Sequence, residues 1–159
     1  MTAFSVSGAA GNDVLSGGST SATLTGNGGY DKYRLGIGSG TDRIVNGTGS
    51  GAAAQGELDI GVGVSTSRLW LRQSGNDLLV SIMGTHDQAT IADWFGTKAD
   101  AQLSRIVTSD GSMLDSQLTQ LVQAMATYSA GHSGFDPTAT QQVPSDPALQ
   151  TSLAAAWHH

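Results

Sequence analysis

The chain has 159 residues and a mass of 16.2 kDa, enough for one ordinary domain or two small modules in series. Charged residues make up only 13%, and 13 acidic against 7 basic side chains leave a net charge of −6, with no basic run to bind nucleic acid. No stretch approaches the roughly 20 apolar residues of a membrane helix, no N-terminal signal peptide is visible, and the absence of cysteine excludes disulfides and thiolate zinc sites.

Glycine and aspartate are distributed unevenly. Of the 22 glycines 16 lie in residues 1–63, and 12 of the 13 acidic residues are Asp, Glu57 being the exception. Asp favours turns and short-reach oxygen coordination, whereas Glu favours helices.

The first element is a repeat. Val6, Leu15, Leu24 and Tyr33 stand nine residues apart, and Gly8, Gly17 and Gly26 keep the same period. The nonapeptides GAAGNDVLS (8–16), GGSTSATLT (17–25) and GNGGYDKYR (26–34) each read as a six-residue turn followed by a three-residue strand. A looser unit, GSGTDRIVN (38–46), carries Asp42 and Ile44 eleven residues after Asp31 and Tyr33. Glycine supplies the positive φ that such turns need, and Asn27 is the residue that tolerates it next best. Two nonapeptides make one coil, so residues 18 apart stack: Asp13 falls beside Asp31 on one edge and Ala22 on the other. A flexible linker of the same composition would not hold apolar residues at a fixed period.

This pattern resembles the GGxGxDxUx repeat of RTX (haemolysin-type calcium-binding) proteins. It departs from that repeat at Ala9 and Asn27, and in the middle unit at Thr20 and Ala22. The resemblance implies a short parallel β-roll over 1–46 that binds Ca²⁺, a hard cation that takes six to eight oxygens. The ion would sit between turns 8–13 and 26–31, bridged by Asp13 and Asp31. Backbone oxygens of the two turns, contributed among Gly8, Ala10, Gly11, Gly26, Gly28 and Gly29, would complete its shell. Asp42, facing Ala22 on the opposite edge, would give at most a weak second site.

Residues 47–56 read as a loop, after which strands are expected at 57–62, 68–73, 77–83, 88–94 and 103–108. Ser74-Gly75-Asn76 is a hairpin turn between two of them. The stretch 69–95 is similar to the haemolysin-type calcium-binding-protein-related domain that follows RTX repeats, which implies a β-rich cap over 47–112 and no active site. Asp115 is placed to N-cap a helix over 116–129, within a segment 113–130, with Leu118, Leu121, Val122 and Met125 on one face. Residues 131–159 hold all 3 prolines and no sustained period, and so read as a flexible tail with a short helix at 147–157. No Lys, Arg or Glu follows Arg105. By resemblance, such a tail is the uncleaved signal read by a type I secretion ABC transporter.

The fold class expected is therefore mainly β: a short parallel β-roll continued by antiparallel strands, one C-terminal α-helix and a flexible tail. The function expected is a calcium-binding module of a larger secreted bacterial protein, extracellular or on the cell surface, with catalysis outside this chain. His86 with Asp87, His132 with Asp136, and the carboxylates Asp59, Asp87 and Asp93 could be drawn as catalytic groups. No G-x-S-x-G elbow or H-x-x-x-H pair supports them. The alternative is a self-assembly or adhesion module with a decayed roll, in which Trp70 sits on an exposed sheet face.

Overall fold

The nine-residue apolar period is a burial period. The computed structural model describes residues 4–19, 21–47 and 55–159. Strands β1 (Phe4–Ser7), β3 (Ala22–Thr25) and β5 (Thr41–Val45) lie side by side and parallel in one sheet. Strands β2 (Val14–Leu15), β4 (Lys32–Leu35) and β6 (Glu57–Ile60) do the same in a second. The chain crosses from one sheet to the other at every turn, so alternate residues point into the space between them. Leu15, Leu24, Tyr33 and Ile44 are each 2% exposed or less. Val6 stands against Leu24 and Leu24 against Ile44 in one sheet, while Leu15 and Tyr33 are paired in the other. Each such side chain is worth about 1.5–3 kcal/mol when fully buried, which offsets the entropy cost of ordering glycine-rich turns.

Both stacks continue into the second half of the chain. β9 (Gln88–Ile91) pairs parallel to β5, followed by antiparallel β8 (Asp77–Ile82) and β7 (Leu69–Ser74). β10 (Arg105–Val107) pairs parallel to β6, followed by antiparallel β11 (Met113–Leu114) and β12 (Trp157–His158). The described residues thus form 12 strands in two mixed six-stranded sheets, with helices α1 (Leu118–Gly131) and α2 (Pro147–Ala156). The β7–β8 hairpin closes through Gly75 and Asn76, with Gly75 at φ 58°, the first-position glycine of a type II′ turn.

Five expectations change. The strands after residue 57 are not all antiparallel: β6, β9 and β10 extend the parallel stacks, because their backbones pair in register with β4, β5 and β6, and only the β7–β8, β8–β9, β10–β11 and β11–β12 pairs are antiparallel. The 88–94 strand stops at Ile91, and Asp93 turns the chain at φ 58°. Trp70 is 3% exposed rather than presented on a sheet face. Its ring packs on Phe135 at 4.6 Å and Tyr128 at 6.1 Å, because α1 and the segment after it cover β7. Asp115 does not cap α1: the N-cap is Gln117, and Asp115 Oδ1 instead accepts the Ser116 N–H at 2.7 Å and pairs with His158 at 2.9 Å. The stretch 131–159, expected to be a flexible tail, packs on the core, and the helix expected at 147–157 forms as α2. Val143, Leu149, Leu153 and Ala156 are buried in the common core, and β12 adds a strand. A real cap starts α2, where the Asp146 carboxylate accepts the Leu149 N–H at 3.0 Å and Pro147 follows as the first helical residue. Most of the loop read at 47–56 lies outside the described residues.

Candidate functional site

The turns 8–13 and 26–31 lie on one edge of the stack, one above the other. Backbone and amide bonds fix the stacking: the Lys32 N–H donates to the Asp13 carbonyl at 2.8 Å, and Asn27 Nδ2 donates to the Gly8 carbonyl at 2.9 Å. The Tyr30 N–H donates to Asn12 Oδ1 at 2.8 Å. Asn27 holds the positive φ, 66°, expected of it, but the cross-coil bonds of Asn12 and Asn27 are not legible in sequence, because their partners are 18 and 19 residues away on the neighbouring coil.

Glycine is required here for close approach. A side chain at Gly29 would collide with the Gly11 carbonyl, so the two turns could not stack as they do. A side chain at Gly26 would strike the Asp31 carboxylate and the Tyr33 hydroxyl, and one at Gly8 would strike the Asp13 carboxylate. Each turn therefore opens with a glycine against which its own aspartate, five residues on, folds back. Gly11 and Gly28 hold φ of 122° and 93°, while Ala10 is an exposed residue of the first turn.

Asp31 is fully buried, and its Oδ1 accepts the Asp13 N–H at 2.9 Å. Its Oδ2 has no hydrogen-bond partner, and neither has Asp13 Oδ2. Burial first, and then the Asp13 charge, push the Asp31 carboxyl above the usual carboxylate range, against the pull of the Asp13 N–H. An unpaired carboxylate oxygen in such a place is costly unless a proton or a cation compensates it. On the opposite edge Asp42 repeats the arrangement alone: 2% exposed, Oδ1 accepting the Ala22 N–H at 2.9 Å, Oδ2 unpartnered, its carboxyl raised by burial and then by Asp87. Among the described residues no three His, Asp or Glu side chains gather into a chelating cluster. A cation held here would depend on turn carbonyls as well as carboxylates, as the repeat pattern requires. The donor set of Asp13 and Asp31 with glycine-rich backbone is all hard oxygen, which fits Ca²⁺.

A second group of charges occupies the outer face of β4, β6 and β10. Glu57 accepts Tyr30 Oη at 2.8 Å and Arg105 Nη2 at 3.3 Å. Asp59, two residues along the same face, leaves Oδ1 buried without a partner. Its carboxyl is pushed up to about 7, by burial first and then by Glu57. A cleft of about 490 Å³ adjoins it, lined among others by Arg34, Gly36, Gly61 and Thr108. Lys32 lies near both carboxylates, Arg34 near Asp59 and Arg105 near Glu57; these cations pull the carboxyls down, against the burial and the Glu57 charge that raise Asp59.

Both oxygens of Asp87 bind backbone N–H groups, and His86 is exposed. His132 stacks on Tyr128 at 3.9 Å.

Residues 77–117 match the family model of the haemolysin-type calcium binding protein related domain. The matched stretch runs from the start of β8 to the residue before α1 and includes β9, β10 and β11. It adjoins the repeat stack directly, through the β5–β9 and β6–β10 ladders. Among the described residues no helix is long and apolar enough to cross a membrane.

Proposed function

We propose that this chain is a calcium-binding, calcium-stabilised module in which residues 1–46 act as a short parallel β-roll. The observation that carries the reading is the pair of unpartnered carboxylate oxygens on Asp13 and Asp31, one coil apart beneath stacked glycine turns. The match of residues 77–117 to a calcium-binding-related domain supports the same chemistry. A bound ion would neutralise these carboxylates and tie together two turns one coil apart on the same edge. Asp13 and Asp31 would supply side-chain oxygens and the turns around Gly8, Ala10, Gly11, Gly26, Gly28 and Gly29 the carbonyls. Asp42 forms the weaker half-site of the opposite edge.

The wider reading is a module of a larger secreted bacterial protein, working outside the cell, where calcium is plentiful. It has no catalytic role of its own, and export runs through a type I transporter that reads the C-terminal tail before folding. What supports it is the Cys-free, Gly/Asp-rich repeat and a stretch of 54 residues after Arg105 without Lys, Arg or Glu. Self-association is the second reading. β1 and β2 end their sheets, and Val14 beside that edge is 58% exposed, the arrangement that invites strand addition. Light scattering across a concentration series, with and without calcium, tests it.

The deciding experiment is calorimetric calcium titration with circular dichroism on this chain and on Asp31→Ala. The expected outcome is heat release and added strand signal in the wild type, at a roughly micromolar to millimolar dissociation constant, and neither in the variant. A chain that is fully folded in chelator and releases no heat would make the stack a scaffold and end the calcium reading.

A further inference from the structure

Asp87 lies between β8 and β9, yet its carboxylate reaches the turn between β4 and β5. Oδ1 accepts the Gly40 N–H at 2.8 Å and Oδ2 accepts the Gly38 N–H at 2.9 Å, across 47 and 49 residues. Gly38 and Gly40 hold φ of 89° and 77°, so their N–H groups converge as in the backbone concavities that take anions. Asp87 is itself fixed. Its N–H donates to Thr85 Oγ1 at 3.0 Å, its carbonyl accepts the Ile82 N–H at 3.0 Å, and only 9% of the residue is exposed. The neighbouring Gln88 N–H donates to the Gly40 carbonyl at 3.0 Å, so the same turn is gripped through donor and acceptor alike.

The contrast with the front turns is chemical. Asp13 and Asp31 each keep one buried oxygen without a partner, whereas both oxygens of Asp87 are satisfied by charge-assisted bonds. A turn whose N–H groups are already filled by an internal anion needs no ion to hold its shape.

We infer that Asp87 is a built-in strut that holds turn 36–40 without metal, so that in calcium-free solution this turn stays ordered while turns 8–13 and 26–31 depend on the ion. The second half rests on the calcium reading above; the first half does not.

Hydrogen exchange on the full chain, in chelator and in calcium, separates the two, with Asp87→Asn as the variant. Asn keeps the volume and one accepting oxygen but turns an NH₂ group toward a backbone donor. In the wild type the Gly38 and Gly40 amides should exchange equally slowly in both solutions. In Asp87→Asn their exchange should rise roughly 10- to 100-fold in both, with the β8 ladder amides unchanged. Protection of Gly38 and Gly40 in the wild type only when calcium is present would overturn the strut, and so would an unchanged variant. If calcium alters no amide anywhere while the variant still frees these two, the strut stands and the calcium reading falls. Should the variant not fold, the wild-type comparison in the two solutions decides alone.

Discussion

Glu57 and Asp59 sit two residues apart on one face of β6, both near Lys32, but Glu57 accepts from Tyr30 and Arg105 whereas Asp59 leaves Oδ1 buried without a partner. The consequence is a pH dependence with a definite sign. Asp59 is pushed up to about 7 in the folded chain, by burial first, against an unfolded value of about 3.9. Its contribution to stability is full below the unfolded value and is lost as pH rises toward and through 7. Glu57 works the other way. Its carboxyl is held low, by the Asp59 hydrogen bond first, so its contribution is lost in acid. Melting temperature should therefore fall from mildly acidic to mildly alkaline pH at fixed calcium, by an amount equivalent to about 1–2 kcal/mol once partial exposure is allowed for. Asp59→Asn, which keeps a donor for Glu57 but cannot ionise, should flatten that decline. An unchanged slope in the variant would show that Asp59 carries no proton at neutrality. None of this is visible in the order ELDI, because it depends on β4 and β10 flanking β6, one from 22 residues upstream and one from 45 downstream. The candidate calcium ligands were legible for the opposite reason: Asp13 and Asp31 recur at the period of the coil itself.

At the scale of elements, local signals worked where periodicity or turn chemistry was strong. The 3.6-residue stripe of Leu118, Leu121, Val122 and Met125 gave α1, and all four side chains are buried. Met125 also accepts the edge N–H of Leu71 at 3.2 Å, on the side of β7 away from β8. In the tail the helix at 147–157 is legible and forms as α2, but the packing of the stretch before it is not, because Phe135 and Val143 share no period with Leu149 and Leu153. Prolines and glycines break the run, and each apolar residue is buried by a different neighbour. The Val143 N–H, for example, donates to the Ser67 carbonyl at 2.7 Å, and the Gly84 N–H donates to that of Pro137 at 2.9 Å. Leu149, 1% exposed on a helix of 10 residues, is the sharpest probe of this docking. Leu149→Ala should cost about 2–5 kcal/mol in urea unfolding, as a core truncation does. A loss under about 0.5 kcal/mol, the size of an ordinary surface change, would mean that α2 is not part of the folded body.

Over the whole molecule, stability should fall from one end of the stack to the other. At one end β7 and β8 share a six-residue ladder and α1 lies on β7, with α2 packed on α1 in turn. At the other, β1 has four residues, β2 has two, and each pairs on one side only. Opening that end breaks few contacts, so it should open locally well before the core does. The Asp13–Asp31 pair lies there, bridging the first coil to the second, where a bound ion would resist this opening. Free calcium at a hundredfold above its dissociation constant suppresses opening about a hundredfold, about 2.7 kcal/mol, if the open form does not bind. Limited proteolysis reads this directly, since cleavage that is slow relative to reclosing tracks the open population. Cuts between Gly8 and Ser19 should be rapid in chelator and slow in calcium by a factor of that order, while the hairpin Leu69–Ile82 resists in both. Asp31→Ala should cleave at the chelator rate whatever the calcium. Equal rates in the two solutions would place the ion elsewhere or nowhere. Rapid cutting of the hairpin in chelator would instead make the molecule one calcium-dependent unit, without the graded stability that strand length and covering predict.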